Sequence, residues 1–380
     1  MSSLRVASVG RCQSTVSRTS GILSQRASEA RAASGPRVSA RAQWDVVLVG
    51  GCADDDFRDE EFNNIRFLPL TSRGGGKLGA RLGYWRQVAK LAAEYDVVLA
   101  RYYGLDPVAW VALRRNPNVF PVLHTKLPAE IAARRHWPAG ALERLFLGLS
   151  GRVANGAVGV TREIVEDFAG LSRKEIPNLV LPNGIDLAGA PKAGDARGSE
   201  GVEALFIASR FYPWQGLDLL VRGAEEFTGA TPLTIHLVGK LTREQRSVLS
   251  TLPTGRVRFV AHGTLSEDRR LALAARCDLA VGSLALWRKD LEEASTLKVR
   301  EYLAMGLPVY ATHRDVALPP DFKHFFRDAS VDLGRMVGLG LASKQRSRQE
   351  VRADAAEFID SARVLERFLD DFERGVRSTS

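Results

Sequence analysis

Two carboxylates eight positions apart, Glu293 and Glu301, flank the start of a predicted helix in the stretch 291–314, LEEASTLKVREYLAMGLPVYATHR. The pattern places the N-cap at Ser295 and Glu301 about two turns into the helix. A helix start turns unpaired N–H groups and the positive end of its dipole outward, so phosphate is the guest it suits. The backbone N–H groups of Thr296 and Leu297 are the expected contacts. A carboxylate deeper in the helix can accept hydrogen bonds from two neighbouring hydroxyls, as a ribose offers. One short segment thus has the parts to hold a nucleoside diphosphate and a sugar.

Glu293, seven intervening residues and Glu301, followed by EYLAMGLPV, resemble the donor-site motif of the retaining GT-B glycosyltransferases of family 4. VLPNGIDL (180–187) resembles the turn that opens the second domain of that family, and FIASRFYPWQGLDLLVRG (206–223) its strand-loop-helix. The three stand in the family's order and spacing over residues 150–345. The resemblance implies an α/β GT-B fold: two Rossmann-like domains whose parallel sheets face a central cleft. It implies ribose binding by Glu301 and a place near the transferred sugar for Glu293; Glu292 lacks the matching spacing.

Breaking a glycosyl-phosphate bond leaves negative charge on the nucleoside diphosphate, so leaving-group stabilisation is the main catalytic demand. Arg210, directly after the strand EALFIAS, could present its guanidinium to two phosphate oxygens. The alternative is a surface arginine at a strand end. Gln215 stands where the family carries Lys; an amide can donate to phosphate but brings no charge. Lys298, at the helix start, is the candidate substitute, against a Lys298–Glu301 helix-surface pair. Ser20-Gly21, between a predicted strand and helix, could bring backbone close to phosphate or sugar, or be a plain turn. His124, ending the strand FPVLHT, is either a sugar or acceptor contact or a structural histidine.

Other apparent motifs lose to plainer readings. ADDD (53–56) runs on into RDEE and reads as a solvated acidic loop, RGGGK (73–77) lacks the Ser/Thr of a phosphate loop, and VGGC lacks a third glycine at dinucleotide spacing. No metal and no cofactor beyond the donor substrate are expected. Cys12, Cys52 and Cys277 are far apart and form no Cys-x-x-Cys, which points to a reducing, cytoplasmic setting. No apolar run approaches the ~20 residues of a spanning helix. Residues 1–180 carry 25 Lys and Arg against 17 Asp and Glu, and residues 181–380 carry 28 against 27. The basic half is the one expected to meet the acceptor, so an anionic acceptor or the anionic inner face of a membrane is the favoured partner, or the charge reflects an arginine-rich proteome. Nucleic acid is disfavoured, because the aromatics are not interleaved with the cations.

The first forty residues, rich in Arg and Ser with the single acid Glu29, have a leader-like composition. Yet LRVASVG, ILSQRASEARAA and WDVVLVGG read as strand, helix and strand, which keeps the segment in the fold. Apolar, β-branched runs then recur at the spacing of alternating strands and helices through both halves. The expected division is 1–186 for the acceptor domain and 187–345 for the nucleotide-sugar domain, joined through 187–201. A helical segment, 346–380, is expected to pack back on the first. The implied activity is transfer of a sugar from a nucleoside-diphosphate-sugar to a carbohydrate or lipid-linked hydroxyl with retention, in polysaccharide, glycolipid or glycoconjugate synthesis. The rivals are another GT-B enzyme, such as a sugar-nucleotide epimerase or phosphorylase, and a nucleotide-sugar-binding subunit without turnover.

Overall fold

The computed structural model describes residues 4–12, 21–50, 64–68, 76–135, 137–252 and 255–379. Up to Asp186 the order is β1 (Leu4–Cys12), α1 (Gly21–Ser34), α2 (Pro36–Ser39), β2 (Ala42–Gly50), β3 (Ile65–Leu68), α3 (Gly76–Ala92), β4 (Val97–Arg101), α4 (Ala109–Arg115), β5 (Val119–Leu123), α5 (Leu127–Arg135), α6 (Trp137–Gly151), β6 (Ala157–Gly159), α7 (Arg162–Ala169) and β7 (Asn178–Val180). There follow β8 (Val202–Arg210), α8 (Leu217–Glu226), β9 (Leu233–Lys240), α9 (Arg243–Thr251), β10 (Val257–Gly263), α10 (Glu267–Arg276), β11 (Leu279–Val281), β12 (Glu293–Ala294), α11 (Leu297–Ala304), β13 (Val309–Ala311), β14 (Arg314–Asp315), β15 (Phe325–Arg327), α12 (Leu333–Ser343), α13 (Arg348–Ile359) and α14 (Ser361–Thr379).

The chain divides into two compact units, 1–186 with 360–380, and 187–359. In the first, the described strands form a parallel sheet in the order β3-β2-β1-β4-β5-β6-β7. The segment of leader-like composition thus supplies a central strand. Runs such as DVVLV are buried on both faces because helices cover each side, which is why they do not alternate with polar residues. One face packs on α14, where the Trp44 and Phe368 rings meet edge-on at 5.9 Å and Phe120 and Phe372 extend the cluster. The expected single terminal segment is two helices: α13 belongs to the second unit, and only the chain from Asp360 joins the first. The break is local chemistry. Asp360 pairs with Ile185 in an isolated bridge, Ser361 N–H donates to Ile185 O at 3.0 Å, and the Asp360 carboxylate accepts from Ala362 N–H.

The second unit has the parallel order β10-β9-β8-β11-β13-β15, with β12 and β14 as a separate two-stranded pair. Its core gathers Phe206, Phe211, Leu220, Ile235, Tyr310 and Met336. Parallel strands deliver their carboxyl ends, and the loops that follow them, to one edge of the sheet. Arg210, Lys240 and Gly263 end β8, β9 and β10 there.

Candidate functional site

The loop after β8 is shaped by Gly216. Its φ of +77° suits glycine, and a Cβ there would lie 2.7 Å from Leu284 Cβ, so Gln215 is pressed against the loop after β11. Leu284 N–H donates to Gln215 O at 3.1 Å, and Arg288 clamps the same turn through Pro213 O and both oxygens of Asp218, each at 2.7 Å. The Gln215 Oε1 atom therefore faces α11. It accepts from Lys298 Nζ at 2.5 Å and from Ser283 Oγ at 3.3 Å.

Lys298 consequently forms no pair with Glu301. Its ammonium lies 5.0 Å from the Phe206 ring centroid, and burial, reinforced by the charge of Lys289, pushes its pKa down to about 7. Glu301 turns instead to Arg270 on α10, at 3.3 Å. Burial raises the Glu301 carboxyl, Arg270 opposes that shift and Glu267 adds to it. Glu293 meets Arg314 across the β12–β14 pair at 2.6 Å.

The N-cap of α11 is Thr296, one residue later than expected, and Glu301 lies little more than one turn inside the helix. Ser295 is buried elsewhere: its Oγ accepts from Arg300 Nη2 at 2.8 Å, beside the wholly buried Arg300–Asp315 pair at 2.7 Å. The cap is unusual in what it lacks. The Thr296 side chain does not cap the helix, and its buried Oγ1 has no hydrogen-bond partner among the described residues. His313, buried nearby, donates from Nδ1–H to Ser283 O at 2.9 Å; burial lowers its pKa to about 4, against that hydrogen bond and Asp315, with Lys298 also lowering it.

Arg210 occupies a second part of this edge. It lines an open cavity of about 530 Å³ at the ends of β8, β9 and β10, together with Lys240, Arg243 and Arg246. Gly239, at φ +133°, lets β9 approach Ala208 O more closely than any Cβ would allow. The Arg210 guanidinium lies 5.8 Å from the Tyr212 ring centroid, and that ring stacks on Trp214. None of the four cations pairs with a carboxylate among the described residues. Arg210 and Glu301 do not touch, since each has its own neighbour.

Lys240, Arg243, Arg246 and Ser283 were not expected at the site. Only the first three had a readable signal: Thr242 and Gln245 form a capping box at the start of α9, and a Thr-x-x-Gln after an apolar strand places the cations beside it at the sheet edge. In the first unit, His124 lines a small cavity with Ser8, Glu29 and Asn183. Gly21 is the first residue of α1, and Ser20 lies outside the described residues, as do most of the acidic loop and the RGGGK stretch.

One group in the second unit could hold a cation. His324, Glu350 and Asp354 bring ligand atoms within 4.8 Å of one another. Lys323 already bridges Glu350 and Asp354 at 2.8 and 3.0 Å, and His324 Nε2 contacts Asp354 at 2.8 Å, so both carboxylates already have partners within the chain.

Residues 37–188 match the family described as Glycosyltransferase Family 4. Among curated proteins, no sequence matches the chain. Solved structures share the fold over almost the whole length. HepE from Anabaena, in complex with UDP and glucose, aligns with a TM-score of 0.62 at 16% identity, covering 98% of this chain and 100% of that one. The lipopolysaccharide outer core galactosyltransferase WaaB aligns at 0.59 and 10% identity, covering 99% and 100%. A Listeria monocytogenes protein assigned as a UDP-N-acetylglucosamine 2-epimerase aligns at 0.52 and 12%, covering 100% and 98%. Two parallel-sheet α/β units of this kind are the GT-B fold.

Proposed function

We propose that the chain is a retaining, metal-independent glycosyltransferase that moves a sugar from a nucleoside-diphosphate-sugar to a hydroxyl acceptor. The observation that carries this reading is the start of α11, where a desolvated Lys298 ammonium lies beside an orphaned Thr296 hydroxyl that does not cap its own helix. A diphosphate supplies what each lacks: negative charge for the ammonium and the helix dipole, and acceptor oxygens for the hydroxyl and the N–H groups of Thr296 and Leu297. Gln215 does not replace the family's lysine; its oxygen holds Lys298, which brings the missing charge from the other side of the loop.

In the reaction, the bond from the anomeric carbon to the phosphate oxygen breaks and the acceptor oxygen bonds to that carbon on the same face. The acceptor proton passes to the departing phosphate. Lys298 and Arg210 stabilise the charge that develops there, Glu301 takes the ribose hydroxyls once Arg270 yields, and Glu293, oriented by Arg314, faces the sugar. UDP-glucose is the first donor to test, because HepE was solved with UDP and glucose. The acceptor is a carbohydrate or lipid-linked hydroxyl in polysaccharide, glycolipid or glycoconjugate synthesis.

A thermal-shift screen of nucleoside diphosphates and their sugars, followed by turnover with an acceptor panel, tests this reading. A ligand that binds the folded state raises the midpoint, and Lys298→Ala is expected to lower kcat by about 10²–10³. Wild-type turnover in Lys298→Ala would refute the assignment. The epimerase-like structure keeps a second reading in view, and nucleotide release that needs no acceptor would favour it.

A further inference from the structure

Three cations beside Arg210 have no role in the reaction proposed above. Lys240, Arg243 and Arg246 line the open cavity of about 530 Å³ at the ends of β8, β9 and β10. In the sheet order β10-β9-β8-β11, Arg210 ends the strand next to the loops that hold Lys298, and the other three lie on its far side. On the glycosyltransferase reading, the two negative charges of the donor diphosphate meet Lys298 and Arg210. That accounts for two of the five cations.

The arrangement of the others is electrostatically costly. Arg210 and Lys240 are register partners on β8 and β9, so two like charges stand side by side. Arg243 is the first residue of α9 and Arg246 lies one turn on, as neighbours on the helix surface and at the end where the helix dipole disfavours cations. Exposure does not explain the missing partners. Arg222, Arg314 and Arg335 in the same unit are each more than half exposed and still take Asp218, Glu293 and Asp328, at 3.2, 2.6 and 2.7 Å. Among the described residues none of the four cavity cations has such a pair. The acid of this turn, Glu244, is exposed, does not line the cavity and contacts Thr242 Oγ1 at 3.5 Å.

The backbone that carries these charges is fixed. Gln245 closes the capping box with Thr242, and its Nε2 donates to Phe211 O at 2.7 Å, which ties the start of α9 to the loop after Arg210. Since the chain caps this helix itself, the attraction for an anion is carried by side-chain charge. Gly239 and Gly263 line the same cavity and put no side chain into it. Two guanidinium forks and one ammonium match phosphate oxygens. One phosphate group carries a charge of about −2 at most, so three cations in a cavity of this size suit two or more phosphates in a row.

We propose that Lys240, Arg243 and Arg246 form a second anion site beside the donor site, that it takes an oligophosphate, and that both sites are filled at once. The proposal rests on the glycosyltransferase reading only in giving Arg210 to the donor.

The test is calorimetric titration of inorganic tripolyphosphate, in metal-free buffer, into the full chain saturated with UDP-glucose, so that the diphosphate site is already filled. One-to-one binding that weakens with salt is expected. Arg243→Ser combined with Arg246→Ser is expected to lower the tripolyphosphate affinity about thirtyfold. Arg86→Ser combined with Lys90→Ser, which removes the same charge from exposed positions of the first unit, is expected to leave it unchanged. Thermal midpoints of the Arg243 and Arg246 variant should match the wild type, since α9 has no buried residue. Tighter binding of ATP than of tripolyphosphate would identify the ligand as a nucleoside-borne oligophosphate, and equal or weaker binding as a free one. Absence of tripolyphosphate binding, its displacement by UDP-glucose, or an equal loss in both double variants overturns the proposal; the last would show an adventitious ion only. If UDP-glucose itself does not bind, the donor reading fails, and the same titration of the free chain and its Arg243 and Arg246 variant still decides the second site.

Discussion

If a diphosphate binds against Lys298, donor binding must take up a proton. In the unliganded protein, burial and the charge of Lys289 hold the Lys298 pKa near 7, so at pH 8 most of the population is neutral. An opposite charge within a few ångströms restores the charged form, so the bound state carries an ammonium. From the free pKa, uptake is about 0.9 proton at pH 8 and about 0.1 at pH 6. The affinity then falls roughly tenfold per pH unit above neutrality and levels off below it. Three neighbours of Lys298 do not contribute to the uptake. His313 is pushed down to about 4 and stays neutral throughout, and Gln215 and Ser283 do not titrate near neutral pH. UDP-glucose is the ligand of choice because its pyrophosphate has no group that titrates near neutrality. Calorimetric titration in buffers of unequal ionisation enthalpy reads the proton count directly. Lys298→Met should abolish the uptake, and Gln215→Glu, which places a carboxylate beside the ammonium, should move its onset to higher pH. Equal uptake by wild type and Lys298→Met, or none by wild type at pH 8, would refute the reasoning.

Other perturbations probe the supports of the site. Asp315→Asn leaves the buried Arg300 without its counter-charge and should cost about 3–5 kcal/mol in urea denaturation, with the start of α11 loosened. Replacing Arg243 and Arg246 by Ser should weaken UDP-glucose binding about fivefold at low salt and flatten its salt dependence, read by the same calorimetry. Glu143 shows the opposite linkage to a salt-bridged acid. Burial raises its carboxyl to about 7, against the Leu105 N–H that donates to it and the charge of Arg81, while Asp106 adds to the rise. Its stabilising contribution is complete below its ordinary pKa and is lost as pH rises through 7. Glu143→Gln should therefore be more stable than wild type at pH 8 by up to about 3 kcal/mol and equal to it near pH 4, by urea denaturation. Gly216→Ala should cost at least about 1 kcal/mol in the same assay and shift Gln215 away from Lys298, because φ and the contact with Leu284 both resist a Cβ.

What could be read from the residues divides by the distance over which the physics acts. The strands were legible because a parallel sheet covered on both faces needs runs such as DVVLV and LFIAS, whatever they pack against. The turn at Gln215 was legible as a departure from the family pattern, and the suspicion that Lys298 supplies the missing charge came from its place at a helix start. The contact itself was not legible. It depends on Gly216 pressing the loop after β8 onto the loop after β11, two segments almost seventy residues apart, and no local periodicity encodes that. The same limit moved the N-cap. Ser295 has a good capping side chain, but the buried Arg300 claims its hydroxyl, a demand created by Asp315 twenty residues further on. Thr296 is left at the cap with its hydroxyl unpaired. A stability-driven sequence would fill that position, since a Ser or Thr that caps its helix is worth roughly 1 kcal/mol. On the proposed reading, the diphosphate of the donor completes the helix end, since it has the charge for the desolvated lysine and the oxygens for the unpaired hydroxyl.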